Sequence, residues 1–191
     1  MKTIIYAHPW EKSFNHAILT TLTQKFQQNG DAYQVIDLYE DHFDPVYSQA
    51  ELKAFSKGDT PYQLVKDYQQ QLQNTDDLYL IAPIWWSNLP GIVKGFFDKV
   101  MLKGFAYSSE NEDWHGLMTW LDHVTVITTS EVSQQALEQD YGDPIRQSLI
   151  NTVFRDLGIS SQKISWHHLG NINTITPEDR QQFLKNIALQ N

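Results

Sequence analysis

The sequence predicts an α/β protein: a parallel sheet of five strands with helices on both faces. Three observations lead there. Short runs rich in β-formers alternate with stretches of helical periodicity along the chain. The most central runs are apolar throughout, which suits strands buried on both faces. The 191 residues are 41% hydrophobic and 19% charged, the balance of one globular domain spanning 1–191 with a real core.

Thr3 to Ala7 is the first strand. Met1-Lys2-Thr3-Ile4-Ile5-Tyr6 resembles the short positive end of a signal peptide, but His8, Pro9, Glu11 and Lys12 interrupt any apolar stretch. Phe14, Ile18, Leu22 and Phe26 recur every four positions and mark one helix face, which stops at Asn29-Gly30. Tyr33 to Leu38 is the second strand, followed by a small helix around Ser48 to Phe55. Pro61 opens the next helix, with Val65, Tyr68 and Leu72 as its buried stripe. Asp77 to Pro83 is the third strand. A helix from Gly91 carries Val93, Phe96, Phe97 and Val100. Val124 to Thr129 is the fourth strand, and Asp143-Pro144 begins a long helix ending at Leu157-Gly158. Gln162 to Leu169 is the fifth strand, and Thr176-Pro177-Glu178-Asp179 starts a final helix. Right-handed crossovers leave few topologies for this count. The expected arrangement is a flavodoxin-like three-layer sandwich with strand order 2-1-3-4-5.

Composition excludes several functions. There is no cysteine, so disulfides, thiolate catalysis and cysteine metal sites are out, and a reducing cytoplasm fits. The histidines show no metal-ligand spacing, and His167-His168 on a strand point to opposite faces. A net charge of −9 disfavours nucleic acid. No apolar stretch reaches the roughly 20 residues that span a bilayer. Six Trp, nine Tyr and nine Phe make either an aromatic-rich core with an oligomer interface or, in part, the lining of a site for a planar ligand.

In this fold ligands sit beyond the carboxyl ends of the strands, so three loops matter. The first, His8 to Asn15, leads into a helix N-terminus with free N–H groups and partial positive charge. Ser13 is the N-cap, and His8, Lys12 and Asn15 add donors. Together these form a phosphate site, or else only a cap and a turn. The loop has neither the dinucleotide nor the Walker glycine pattern. The second loop, Pro83 to Gly91, sets Trp85 and Trp86 side by side between prolines. Such a turn can seat a planar ring through indole and backbone N–H groups, or pack against another subunit. The third, Thr128 to Gln135, offers small hydroxyl residues for close ligand approach, or is a polar connection. Glu110, Glu112 and Asp113 read as a solvated loop.

His8-Pro9 with Ser13-Phe14-Asn15 resembles the flavin-phosphate loop of the NAD(P)H:quinone oxidoreductase family. Pro83-Ile84-Trp85-Trp86 and Pro90-Gly91-Ile92-Val93-Lys94-Gly95-Phe96-Phe97-Asp98-Lys99-Val100 resemble its second motif, completed by Gly104-Phe105-Ala106-Tyr107. The resemblance runs nearly the whole chain, and it leans toward the shorter bacterial members of the NADPH-quinone reductase and modulator-of-drug-activity type. It implies a cytoplasmic homodimer with a tightly bound FMN or FAD at each interface site. It also implies NAD(P)H as co-substrate and ping-pong reduction of quinones or other planar acceptors. By position, His8, Ser13, Phe14 and Asn15 hold the phosphate end, and Pro83, Ile84, Trp85 and Trp86 the ring. Thr128 and Thr129 complete the cofactor site, and Tyr107 lies in the substrate cavity.

The third loop departs from that pattern. Mammalian-type members carry two glycines after the paired threonines, where Ser130 and Glu131 stand here. Aligned on Gly142-Asp143, Gln135 takes the place of their active-site Tyr, beside the substrate, and Tyr141 that of their His. The expected catalytic donor is therefore Tyr141. Two other readings are an electron-transfer flavodoxin and a regulatory flavoprotein subunit of a glutathione-gated potassium efflux system. The first lacks the flavodoxin Thr/Ser-Gly-Asn phosphate pattern, and nothing in the chain identifies a membrane partner for the second.

Overall fold

The computed structural model describes residues 1–110 and 113–190. Five parallel strands form the sheet: β1 (Lys2–Tyr6), β2 (Tyr33–Asp37), β3 (Asp77–Pro83), β6 (His123–Thr129) and β7 (Ile164–Leu169). Their order is β2-β1-β3-β6-β7. The expected order 2-1-3-4-5 is the same arrangement once a short hairpin, β4 (Tyr107–Glu110) with β5 (Asp113–Gly116), is counted. That hairpin corrects the reading of Glu110 and Asp113 as a solvated loop, because the two pair across its end. Glu112 lies outside the described residues.

Alternation along the strands divides the core. Ile4 and Tyr6 face α1 (Phe14–Asn29) and α7 (Pro177–Gln190), with Ile18, Leu22, Phe26 and Ile187. Ile5 and Ala7 face the other layer, with Val65 and Leu72 of α3 (Gln63–Gln73) and Val93, Phe96 and Val100 of α4 (Gly91–Val100). The expected stripes are the buried ones. Ser13 caps α1 by accepting from His16 N–H at 3.1 Å, and Gly30 ends it at φ 74°, a conformation open to glycine. Pro61 precedes its helix rather than opening it, since α3 begins at Gln63. The helix expected from Asp143-Pro144 is α6 (Ile145–Phe154), wound with i→i+5 pairing as a π-helix. Two further short helices are α2 (Gln49–Phe55) and α5 (Gln134–Gln139), and a single 3₁₀ turn, Ser161–Lys163, leads into β7. Among the described residues no helix is long and apolar enough to cross a membrane.

The helix behind the tryptophan turn is firmly anchored. Lys99 on α4 is buried and meets buried Glu51 of α2 at 2.9 Å. It also donates to the carbonyls of Asp44 (2.7 Å) and Val46 (3.1 Å). One turn earlier Gly95 lies flat against Pro45, where an added Cβ would come within 2.3 Å. A buried pair is costly to break from one side, because the survivor remains a desolvated charge. Lys99→Met should therefore destabilise the protein by about 3–5 kcal/mol in urea titration. The double variant Lys99→Met, Glu51→Leu should recover most of that loss.

Candidate cofactor and active site

The carboxyl ends of β1, β3 and β6 open onto one crevice with two adjoining lobes. The first lobe, about 380 Å³, is lined by His8, Lys12, Ser13, Phe14, Asn15 and Arg180, among others. The second, about 520 Å³, is lined by Trp86, Ser87, Val132, Leu137 and Tyr141. Ile84, Trp85, Ser130 and Glu131 line both, so these residues form the junction. Each volume falls within the roughly 300–1,000 Å³ typical of ligand sites.

The first lobe concentrates donors. Ser13 Oγ accepts from His16, which leaves its hydroxyl proton for another acceptor. The α1 amides of Phe14 and Asn15 have no intrahelical acceptor. His8 Nδ1 accepts from Trp10 N–H at 3.1 Å, so the neutral ring carries its proton on Nε2. Burial pushes the His8 pKa down and favours that neutral form. Asn15 is buried and donates to Thr129 Oγ1 at 2.8 Å, while its Oδ1 has no hydrogen-bond partner. Arg180 donates to the Ile172 carbonyl and lies over the Phe14 ring at 5.9 Å. Lys12 and Arg180 thus supply local positive charge within a chain of net charge −9.

The second lobe is built on a strained turn. Trp85 and Asn88 exchange backbone hydrogen bonds of 2.8 and 3.1 Å. Between them Trp86 and Ser87 adopt φ of 50° and 60°. Two consecutive left-handed residues make a type I′ turn, which normally favours Asn and Gly. A tryptophan held there is sterically costly. The turn carries both indoles out of the core: Trp85 is 44% exposed and Trp86 100%. Trp85 meets the His8 ring edge-on at 6.2 Å, linking the two lobes. The turn's own pairing engages only the N–H groups of Trp85 and Asn88, leaving those of Trp86 and Ser87 for other acceptors.

The third wall is rigid for a reason outside it. Trp166 Nε1–H, a pure donor, points to Thr128 Oγ1 at 2.9 Å. The Val132 carbonyl can only accept, so His168 Nε2, 2.9 Å away, carries the proton of the neutral ring, and Nδ1 then accepts from Thr128 Oγ1 at 2.8 Å. Ser130 N–H donates to the Leu169 carbonyl and Ser130 C=O accepts from Ile172 N–H, both at 3.0 Å. Glu131 accepts from Asn173. Loop three and the loop after β7 are therefore zipped together.

The structure brings His8, Ser13, Phe14, Asn15, Pro83, Ile84, Trp85 and Thr129 to one lobe, and Trp86 and Tyr141 to the other. It does not bring Thr128 there. Strand alternation turns that residue away from Thr129, fully buried, and its hydroxyl is spent on Trp166 and His168. Gln135 is exposed on the first turn of α5 and lines neither lobe; that segment is a helix capped by Ser133, not a plain connection. Tyr107 lies at a separate cavity of about 430 Å³ beside α4 and α6, stacked on Trp114 at 3.8 Å. Sequence reasoning missed Trp10, Ile172 and Asn173. The rule that ligands sit beyond the strand ends covers the loop after β7 as well.

Burial holds the pKa of His167 and His168 below the usual 6.5; for His168 it outweighs the hydrogen bonds that act the other way. The unfolded chain therefore binds these protons first as pH falls. Stability should be full above about pH 6.5 and decline as pH drops from there toward the lowered native values. Denaturant titrations at about pH 7.5 and about pH 5.5 measure this slope, and His168→Gln should flatten it.

Comparison with known proteins agrees with the geometry. Residues 2–189 match the family described as flavodoxin-like fold. An uncharacterized NAD(P)H oxidoreductase of Haemophilus influenzae is 32% identical over 183 residues, covering 95% of this chain and 89% of that protein. A crystal structure of a Streptococcus mutans protein superposes with TM-score 0.82 at 30% identity, covering 100% of this chain and 98% of that one. The NAD(P)H:quinone oxidoreductase of Methanothermobacter marburgensis shares the fold at TM-score 0.85 and 24% identity, covering 98% and 93%. The chain belongs to the flavodoxin-like fold family.

Proposed function

We propose that this protein is a flavin-dependent NAD(P)H:quinone oxidoreductase. The observation that carries the reading is the two-lobed crevice: a capped helix N-terminus with two cations at one end, and an apolar aromatic lobe at the other. The residues present fit a flavin. The α1 amides, Ser13 and the His8 Nε2–H suit a phosphate, and Lys12 and Arg180 offset its charge. The unpartnered Oδ1 of buried Asn15 suits a hydroxyl donor, as on a ribityl chain. The N–H groups of Trp86 and Ser87 suit ring heteroatoms.

A bound flavin would supply two-electron, hydride-equivalent chemistry there between NAD(P)H and a quinone. The protein's share is position and electrostatics. Trp85, Ile84 and the strained turn define the plane and floor of the aromatic lobe. The Glu131–Asn173 bridge and the His168-held Val132 keep the opposite wall from moving. Tyr141, half exposed at the mouth of that lobe, offers a phenolic O–H to the acceptor or the ring. Nicotinamide and quinone use the same lobe in turn. We further propose a cytoplasmic homodimer. It is supported by Trp86, an apolar side chain held fully exposed on a costly turn, where a second subunit would cover it.

The purified protein should show flavin absorbance, and mass analysis of what heat releases should give FMN or FAD. Stopped-flow mixing with NADPH should bleach that absorbance, and a quinone should restore it. Protein that stays colourless with excess FMN and FAD would overturn the reading, and a pure electron carrier would not oxidise NADPH. Ser13→Ala should cost about 1 kcal/mol of stability through the lost cap and weaken flavin binding, read by fluorescence titration. Tyr141→Phe should slow one half-reaction about 10-fold or more without changing flavin affinity. Unchanged rates in both halves would remove Tyr141 from the mechanism.

A further inference from the structure

Glu131 occupies an unusual place in this crevice. Among the described residues it is the one acidic side chain lining either lobe, and it lines both. The cations Lys12 and Arg180 line the phosphate lobe alone. None of the described residues lining the aromatic lobe is cationic. The carboxylate at the junction is also held in place. Ser130 before it is zipped to Leu169 and Ile172 on the backbone, and Val132 after it is pinned by Ser130 Oγ and His168 Nε2. Its own Oε1 accepts from Asn173 across the crevice rim. The backbone on either side of Glu131 is thus held by the loop after β7 and by His168, and the carboxylate itself by Asn173.

We propose that Glu131 sets the reduction potential of the flavin low, by holding a fixed negative charge at the edge of the ring site. This rests on the flavin reading above. Two-electron reduction places negative charge on the ring, or draws in a proton to cancel it. A neighbouring carboxylate opposes the first outcome by Coulomb repulsion and favours the second. A cation near the ring would do the reverse, and none of the described residues lining the aromatic lobe is one. Charge beside the ring is one of the levers by which a protein tunes a cofactor. The reduced enzyme is then a stronger reductant. Acceptors of low potential come within reach, at the expense of driving force for reduction by the nicotinamide.

The test is spectroelectrochemical titration of the flavin-loaded protein as wild type, Glu131→Gln and Asn173→Ala. Removing the charge should make the protein favour reduced over oxidised flavin about tenfold more, an upward shift of about 30 mV for a two-electron couple. Asn173→Ala keeps the charge, and the clasp on Ser130 and Val132 still holds Glu131 at the junction, so its potential should move much less than that of Glu131→Gln. The potentials are read on protein saturated with flavin, as fluorescence titration shows, so that any change in affinity is kept apart from the shift. An unmoved potential in Glu131→Gln overturns the proposal, and so does an equal shift in Asn173→Ala, which would assign the effect to the bridge. Loss of oxidised flavin from Glu131→Gln alone would make the residue a structural strap and also overturns it. A wild-type protein that binds no flavin removes the functional reading itself, a result distinct from any of these.

Discussion

Everything at the site depends on where β1 lies. It pairs with β2 on one side and β3 on the other, so the chain reverses its direction of travel across the sheet there. The helix after β1 packs on one face and the helix after β3 on the other. Their connecting loops diverge, and a crevice opens between them. Burial of both sheet faces leaves only the strand ends for polar chemistry. The phosphate loop, the tryptophan turn and loop three gather there because the sheet has no other free margin.

The crevice resolves an electrostatic conflict. A chain of net charge −9 repels an anion at long range. Close in, that field matters less than oriented N–H groups, a neutral histidine with its proton on Nε2, and two nearby cations. The donors are set by local geometry: Ser13 must cap α1, and His8 must accept from Trp10. The aromatic lobe has the opposite character. It is largely apolar, with one carboxylate and no cation among the described residues that line it, and part of its wall is a turn whose strained backbone presents indoles outward.

Rigidity reaches the site from the far edge of the sheet. β7 contributes no side chain to either lobe, yet its His168 and Trp166 decide how Thr128 is used and where Val132 sits. Because the indole can only donate and the Val132 carbonyl can only accept, each proton in that chain has one consistent position. The loop after β7 then clasps loop three through Ile172 and Asn173.

The amino-acid sequence by itself determined the five strands, the faces of α1, α3 and α4, the Ser13 cap and the exclusion of Trp85 and Trp86 from the core. These are properties of contiguous residues: apolar periodicity, a cap before a helix, and bulky aromatics between prolines. Only the tertiary structure decided the rest. The β4–β5 hairpin and α5 are short and polar, with too few residues for a period to show. Thr128 looked equivalent to Thr129 until strand register turned one inward and spent its hydroxyl on β7. Tyr107 found Trp114 across a hairpin, and Glu131 found Asn173, 42 residues away. Such meetings are set by strand order and register, which join loops far apart in the chain, and no local pattern encodes them.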